Sequence, residues 1–271
     1  MAKISEEDRG KYFEKIKPYK STIQEILKRE QSVVQVIRSD PENSAFKRLG
    51  LVEEMLNLAS NYIIINGVSQ SVLKVKNEDA LNDARKAMYK SIIYLEEVVS
   101  NYLDAPFSDY EDRLAAIDSF DETHRYSLAR KMGLAAALLT NAYGFNTKWK
   151  WSFVELEGRY ATVTKNMLNL RFAVANTDPR SPDYEPTVYH LRLIKKLLAQ
   201  SADRYREKYE LSTNRIDDFK QGINFLSALR RLHMILGDRD EAEITKKKLD
   251  IWAAKLESDL RKQEELALRK L

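Results

Sequence analysis

The chain has 271 residues, 44% of them hydrophobic, with 8 glycines, 6 prolines and no cysteine. A chain of this length can hide roughly 70–75% of its unfolded surface, and the missing cysteine removes disulfides, thiolate metal sites, iron–sulfur ligation and cysteine nucleophiles together. Forty-five basic and 41 acidic residues leave a net charge of +4, too evenly mixed to argue strongly for a polyanionic partner.

Nearly every segment reads at helical period. Phe13, Ile16, Ile23, Leu27, Val34 and Ile37 trace one face, which Pro18 is expected to kink or split and Ser39-Asp40-Pro41 to end. Phe46, Leu49, Val52, Leu56, Ala59 and Ile63 form a second stripe, and Asn66-Gly67 reads as a turn. Asn77 to Asp79 caps a third helix carrying Leu81, Ala84, Met88, Ile92, Leu95, Val99 and Tyr102 on one face. A short helix around Tyr110 to Ile117 follows, then a new cap at Asp121 opens Thr123 to Ala142.

From Phe145 the apolar positions Trp149, Phe153, Leu156, Tyr160, Val163, Met167, Leu170 and Val174 continue as one a/d-like seam. This places Trp149 in a core stripe, while Trp151 points toward another side, facing a second neighbour or solvent. The segment 176–187 holds three of the six prolines and reads as a linker or long loop between an N-terminal helical domain, 1–175, and C-terminal hairpins, 188–271. The expected fold is all-α: a multi-helix array or bundle of about nine to ten helices. No internal repeat stands out.

Chemistry-bearing motifs are scarce. His124, His190 and His233 lie far apart, with no metal-ligand spacing between them. The acidic pairs Glu53-Glu54, Glu96-Glu97 and Asp217-Asp218 diverge by about 100° on a helix, a poor arrangement for paired acid–base work. No glycine-rich phosphate loop is present. The sequence therefore implies no catalytic residue, metal or cofactor. Acidic residues near the N-terminus replace the apolar core of a signal peptide, and no apolar run approaches the roughly 18 residues of a membrane span. A cytoplasmic protein without membrane insertion is expected.

The stretch Leu226 to Trp252 resembles a single tetratricopeptide hairpin, with Gly237-Asp238 and Ala242 in the Gly-Asp-x-x-x-Ala turn of that family and Leu226 and Leu229 at large packing positions. Arg230, Lys246 and Leu249 depart from its pattern. The resemblance implies a helical array that binds peptides or proteins, with an α-solenoid stacking as one form of it.

With ten per cent aromatic content and Tyr, Trp and Arg as customary interface anchors, the sequence favours a non-catalytic scaffold or adaptor that binds a protein partner. The candidate contacts are Lys148, Lys150 and Trp151 as an aromatic-basic patch, and Arg230, Arg231 and Trp252 on the terminal hairpin. Nucleic acid bound through the same basic residues is the second expectation, and self-association into a larger assembly the third.

Overall fold

The computed structural model describes residues 4–42, 44–144 and 147–268, and among them it contains helices and turns but no strand. The all-α expectation holds. The helices are α1 (Glu6–Ser39), α2 (Ser44–Val68), α3 (Glu78–Val98), α4 (Glu111–Ala115), α5 (Glu122–Tyr143), α6 (Lys150–Met167), α7 (Leu170–Ala175), α8 (Tyr184–Lys208), α9 (Ile216–Leu236) and α10 (Arg239–Leu268). They form two compact units, one of residues 1–100 and 112–150, the other of residues 101–111 and 151–271. The division falls at the first turn of α6, not at the proline-rich segment. Leu170 and Ala173 before that segment and Leu191 and Ile194 after it belong to one apolar cluster, so 176–187 is a loop within the second unit.

Local chemistry sets most helix ends. Asn77 accepts the Ala80 N–H at 3.0 Å and Asp121 accepts the His124 N–H at 2.9 Å, each satisfying a donor the first turn leaves free. Arg125, 4% exposed, donates to the carbonyls of Phe120 and Ile117 at 2.6 and 3.2 Å, which occupies backbone acceptors beyond the end of α4. At the α9–α10 turn Gly237 takes φ 76°, and the Asp238 N–H reaches the His233 carbonyl at 2.9 Å. The hairpin that the Gly-Asp pair suggests is therefore formed.

Several expectations are corrected. Pro18 does not split α1, which runs 34 residues. It sits on the exposed face, where the carbonyl it leaves without a donor can be hydrated. Tyr12 rather than Phe13 turns inward, held by the Asn77 amide at 3.1 Å, so Phe13 is 58% exposed; Phe46 is likewise 48% exposed. Asn66-Gly67 is not a turn. The buried Asn66 side chain accepts the Asn77 N–H at 2.8 Å, and the helix continues through Gly67. The long seam is broken as well: Phe145 lies outside the described residues, α6 ends at Met167, and Asn169 caps α7 by accepting the Phe172 N–H at 3.1 Å. Val174 is left 47% exposed, and Tyr102, expected on the apolar face of the third helix, lies beyond the end of α3 and is 70% exposed.

The units share an internal repeat. In the first, the 25-residue α2 ends in a five-residue π-helical turn, Ser69–Leu73, closed by Lys74 at φ 55° and followed by the 21-residue α3. In the second, the 25-residue α8 ends in the five-residue π-helical turn Tyr209–Thr213, closed by Asn214 at φ 50° and followed by the 21-residue α9. Ser44 and Tyr184, Ser69 and Tyr209, and Lys74 and Asn214 are each 140 positions apart. Burial keeps the same register. Leu51, Leu58, Asn61 and Ile65 on α2 match Leu191, Leu198, Ser201 and Tyr205 on α8. After a two-residue shortening, Leu81, Ala84, Ala87, Met88, Ser91 and Leu95 on α3 match Phe219, Gly222, Phe225, Leu226, Leu229 and His233 on α9. Single-turn π insertions are rare, so two at one register mark a repeated design.

Candidate functional site

The six residues expected to bind a partner divide between the units. Lys148 and Lys150 are exposed at the end of the first. The Lys148 ammonium lies 5.4 Å from the Trp149 ring centroid, and the Arg85 guanidinium covers that ring at 4.1 Å. Trp149 itself is half-buried in the turn before α6, not inside the core stripe.

The other four fall in the second unit. Trp151 is half-buried and packs against that unit's apolar cluster, so only part of the indole faces outward. Trp252 is a core residue, 3% exposed, with its ring 5.7 Å from Phe219. This corrects its assignment as a contact: the α10 stripe that carries it turns into the unit. Arg230 lines a groove of about 360 Å³ with Met234, Gly237, Arg239, Ala242 and Glu243, and its buried Nε has no partner among the described residues. Arg231 donates to Asp104 at 3.2 Å.

Some cations of the adjacent basic pairs and triplets along the second unit, 195–196, 230–231 and 246–248, are paired at home. Lys195 bonds Asp238 at 2.5 Å and Lys248 bonds Asp203 at 2.7 Å. These cations are less available to phosphate than their sequence suggests.

A feature the sequence reading missed is a groove of about 590 Å³ between α2 and α5 in the first unit. Leu56, Asn57, Ser60 and Ala135 line it, and Leu134 and Leu138, one helical turn apart and also lining it, stand 63% and 44% exposed. Glu53 pairs with Lys131 at 2.6 Å and Glu54 with Arg29 at 3.0 Å, so the carboxylates on this rim are already neutralised. Leu134 and Leu138 lie within the small-residue run GLAAALL, 133–139, of α5. Among the described residues, no cluster of three His, Asp or Glu is arranged to hold a metal ion, and no helix is long and apolar enough to cross a membrane.

Fold and surface together define a two-unit all-helical protein with an interhelical groove of mixed polar and apolar lining. The chain belongs to the TP0443 family, whose model matches residues 8–260. No curated protein and no solved structure matches it.

Proposed function

We propose that this protein is a non-catalytic, cytoplasmic helical scaffold that binds a protein partner by taking an amphipathic helix of that partner into the α2–α5 groove. The observation that carries the reading is the pair Leu134 and Leu138, exposed one turn apart beside a groove whose rim charges are internally paired. Exposed apolar side chains that converge on a groove are a recurrent mark of docking surfaces. Helix-in-groove recognition reads anchors at i, i+3, i+4 and i+7 of the incoming helix. Lys148 and Lys150, in the same unit, remain candidate contacts, and the Arg230 groove of the other unit is a separate candidate.

A neutral rim gives this reading a distinctive salt response. Phosphate contacts weaken steeply as salt rises, whereas apolar docking holds or strengthens. The test is capture of partners by the tagged full chain and by its Leu134→Glu/Leu138→Glu variant, washed at low and high salt with nuclease. A stoichiometric protein kept by the wild type at high salt and lost by the variant supports the reading. Recovery of nucleic acid that high salt removes, or of this chain alone, replaces it with nucleic-acid binding or self-assembly.

A further inference from the structure

α10 carries a charge pattern that neither the core nor the α2–α5 groove uses. Counted in sevens, Glu243, Asp250, Glu257 and Glu264 fall at one position, and Lys248, Lys255 and Lys262 at another, five residues on. Between the two rows runs a strip that includes Ile244, Ile251, Ala254, Ser258 and Leu268. In heptad terms the strip holds positions a and d, the acidic row is g and the basic row is e.

The strip faces solvent. Leu249, Trp252 and Leu256 turn α10 toward the second unit's apolar cluster, and the a and d positions lie on the opposite side of the helix. Ile244 and Ile251, one heptad apart, are 60% and 69% exposed, and Leu268 is 71% exposed. Beyond Ile251, the small side chains of Ala254 and Ser258 leave a shallow depression of about 420 Å³ walled by Glu257, Arg261, Lys262 and Glu265. All six of these residues stand at a, d, e or g, so the helix presents two knobs and a hollow along one line.

The helix does not need the two rows for its own support. Charges stabilise a single helix when they stand three or four residues apart, whereas Glu243 and Lys248, five apart, lie on opposite flanks of the strip. Glu243, Asp250 and Glu264 make no ion pair among the described residues. Lys248 is held by Asp203 at 2.7 Å, and Lys255 and Lys262 by Asp259 at 3.0 and 3.6 Å. These pairs are partly exposed and individually of small worth, so exchanging them for pairs to another chain costs little.

Such flanks select both partner and orientation. When two copies of α10 lie parallel and in register, each g carboxylate meets an e ammonium of the other chain: Glu243 meets Lys248, Asp250 meets Lys255 and Glu257 meets Lys262. An antiparallel pair sets acid against acid and base against base. We infer that α10 is a self-association surface on which a second copy of this chain docks its own α10, parallel and in register, through Ile244, Ile251, Ala254 and Ser258. Lys247 and Arg261 hold d positions, where their aliphatic stems lie along the seam and their charged ends reach water. Polar residues at such positions cost stability, so the dimer is weak and reversible. Docking here is independent of the α2–α5 groove, and failure of either surface leaves the other standing.

The experiment is sedimentation equilibrium of the full chain across a concentration series, beside its variants. The wild type should pass from a mass of 31.5 kDa toward twice that value as concentration rises. Ile244→Lys/Ile251→Lys alters two exposed positions, should keep the wild-type melting temperature, and should weaken association by roughly a hundredfold, about tenfold for each isoleucine. Lys255→Glu/Lys262→Glu and Asp250→Lys/Glu257→Lys should each stay monomeric alone and associate when mixed. Ala254→Cys, in a chain with no other cysteine, reports orientation, because a mild oxidant should cross-link the parallel dimer through this d position. A mass that stays at one chain up to the solubility limit, association undiminished by Ile244→Lys/Ile251→Lys, or a dimer that Ala254→Cys fails to cross-link would overturn the inference.

Discussion

Replacing Lys165 by methionine should make the protein more stable at neutral pH. Burial lowers the pKa of this lysine from 10.5 to about 8, the attraction of Asp104 offsetting only part of the desolvation. At roughly 1.4 kcal/mol per pH unit, holding the amine charged inside the fold at pH 7 costs about 3 kcal/mol. Methionine keeps the volume and removes the charge, but leaves Asn166 Oδ1 without the lysine's hydrogen bond, a loss of about 1 kcal/mol. The net gain at pH 7 is therefore about 2 kcal/mol.

The sign of the pH dependence follows from the lowered folded-state pKa. Between pH 8 and 10.5 the unfolded wild type holds more protons than the folded form, so its stability rises with pH across that window. The advantage of Lys165→Met should shrink from pH 8 upward and vanish or reverse near pH 10. Urea unfolding of both proteins at pH 7, 8.5 and 10 measures this, and subtracting one from the other cancels the titration of the tyrosines. A variant less stable than wild type at pH 7, or a difference flat with pH, would refute the argument that an uncompensated buried charge sits at this position.

Trp252→Ala should lower the melting temperature strongly, at a cost of about 3–5 kcal/mol for an emptied aromatic core site. A variant that melts normally but loses a partner would restore Trp252 as a contact. Lys74→Gly should raise stability by about 1 kcal/mol in thermal unfolding, because Lys74 holds a left-handed φ of 55° that glycine adopts without strain. The matching Asn214→Gly should gain less, since asparagine tolerates that conformation better. Gly222→Ala should destabilise, because its new Cβ would stand 3.0 Å from the Ala202 carbonyl oxygen, whereas the matching position of the first unit already holds Ala84.

What the sequence made legible was local. Asn77 and Asp121 act on a backbone N–H three residues away, and Gly237 acts on its own φ, so each can be recognised without knowing the fold. The face that α1 buries was harder, because Tyr12 and Phe13 are adjacent aromatics and a hydrogen bond to Asn77, 65 residues on, decides between them. Trp252 was misassigned because one stripe position looks the same whether a neighbouring helix covers it or not. The repeat was hidden because burial register survives where residue identity does not: Gly222 answers to Ala84 and His233 to Leu95. The register is 140 for α2 and α8 but 138 for α3 and α9, so no single shift of the sequence aligns both pairs. The residues Thr162, Thr164, Lys165 and Asn166 at the end of α6 look like a solvated face in the sequence but are all buried.

The measurement that bears most directly on the proposed role is side-by-side capture with the full-length wild type and Leu134→Glu/Leu138→Glu from native cells at high salt, followed by titration of the captured partner against both purified proteins. Two substitutions at exposed positions should leave the helical circular-dichroism signal and melting temperature near wild type. The account predicts a stoichiometric protein partner bound by the wild type and lost by the variant. Equal binding by a well-folded variant would contradict it and remove the α2–α5 groove as the docking surface.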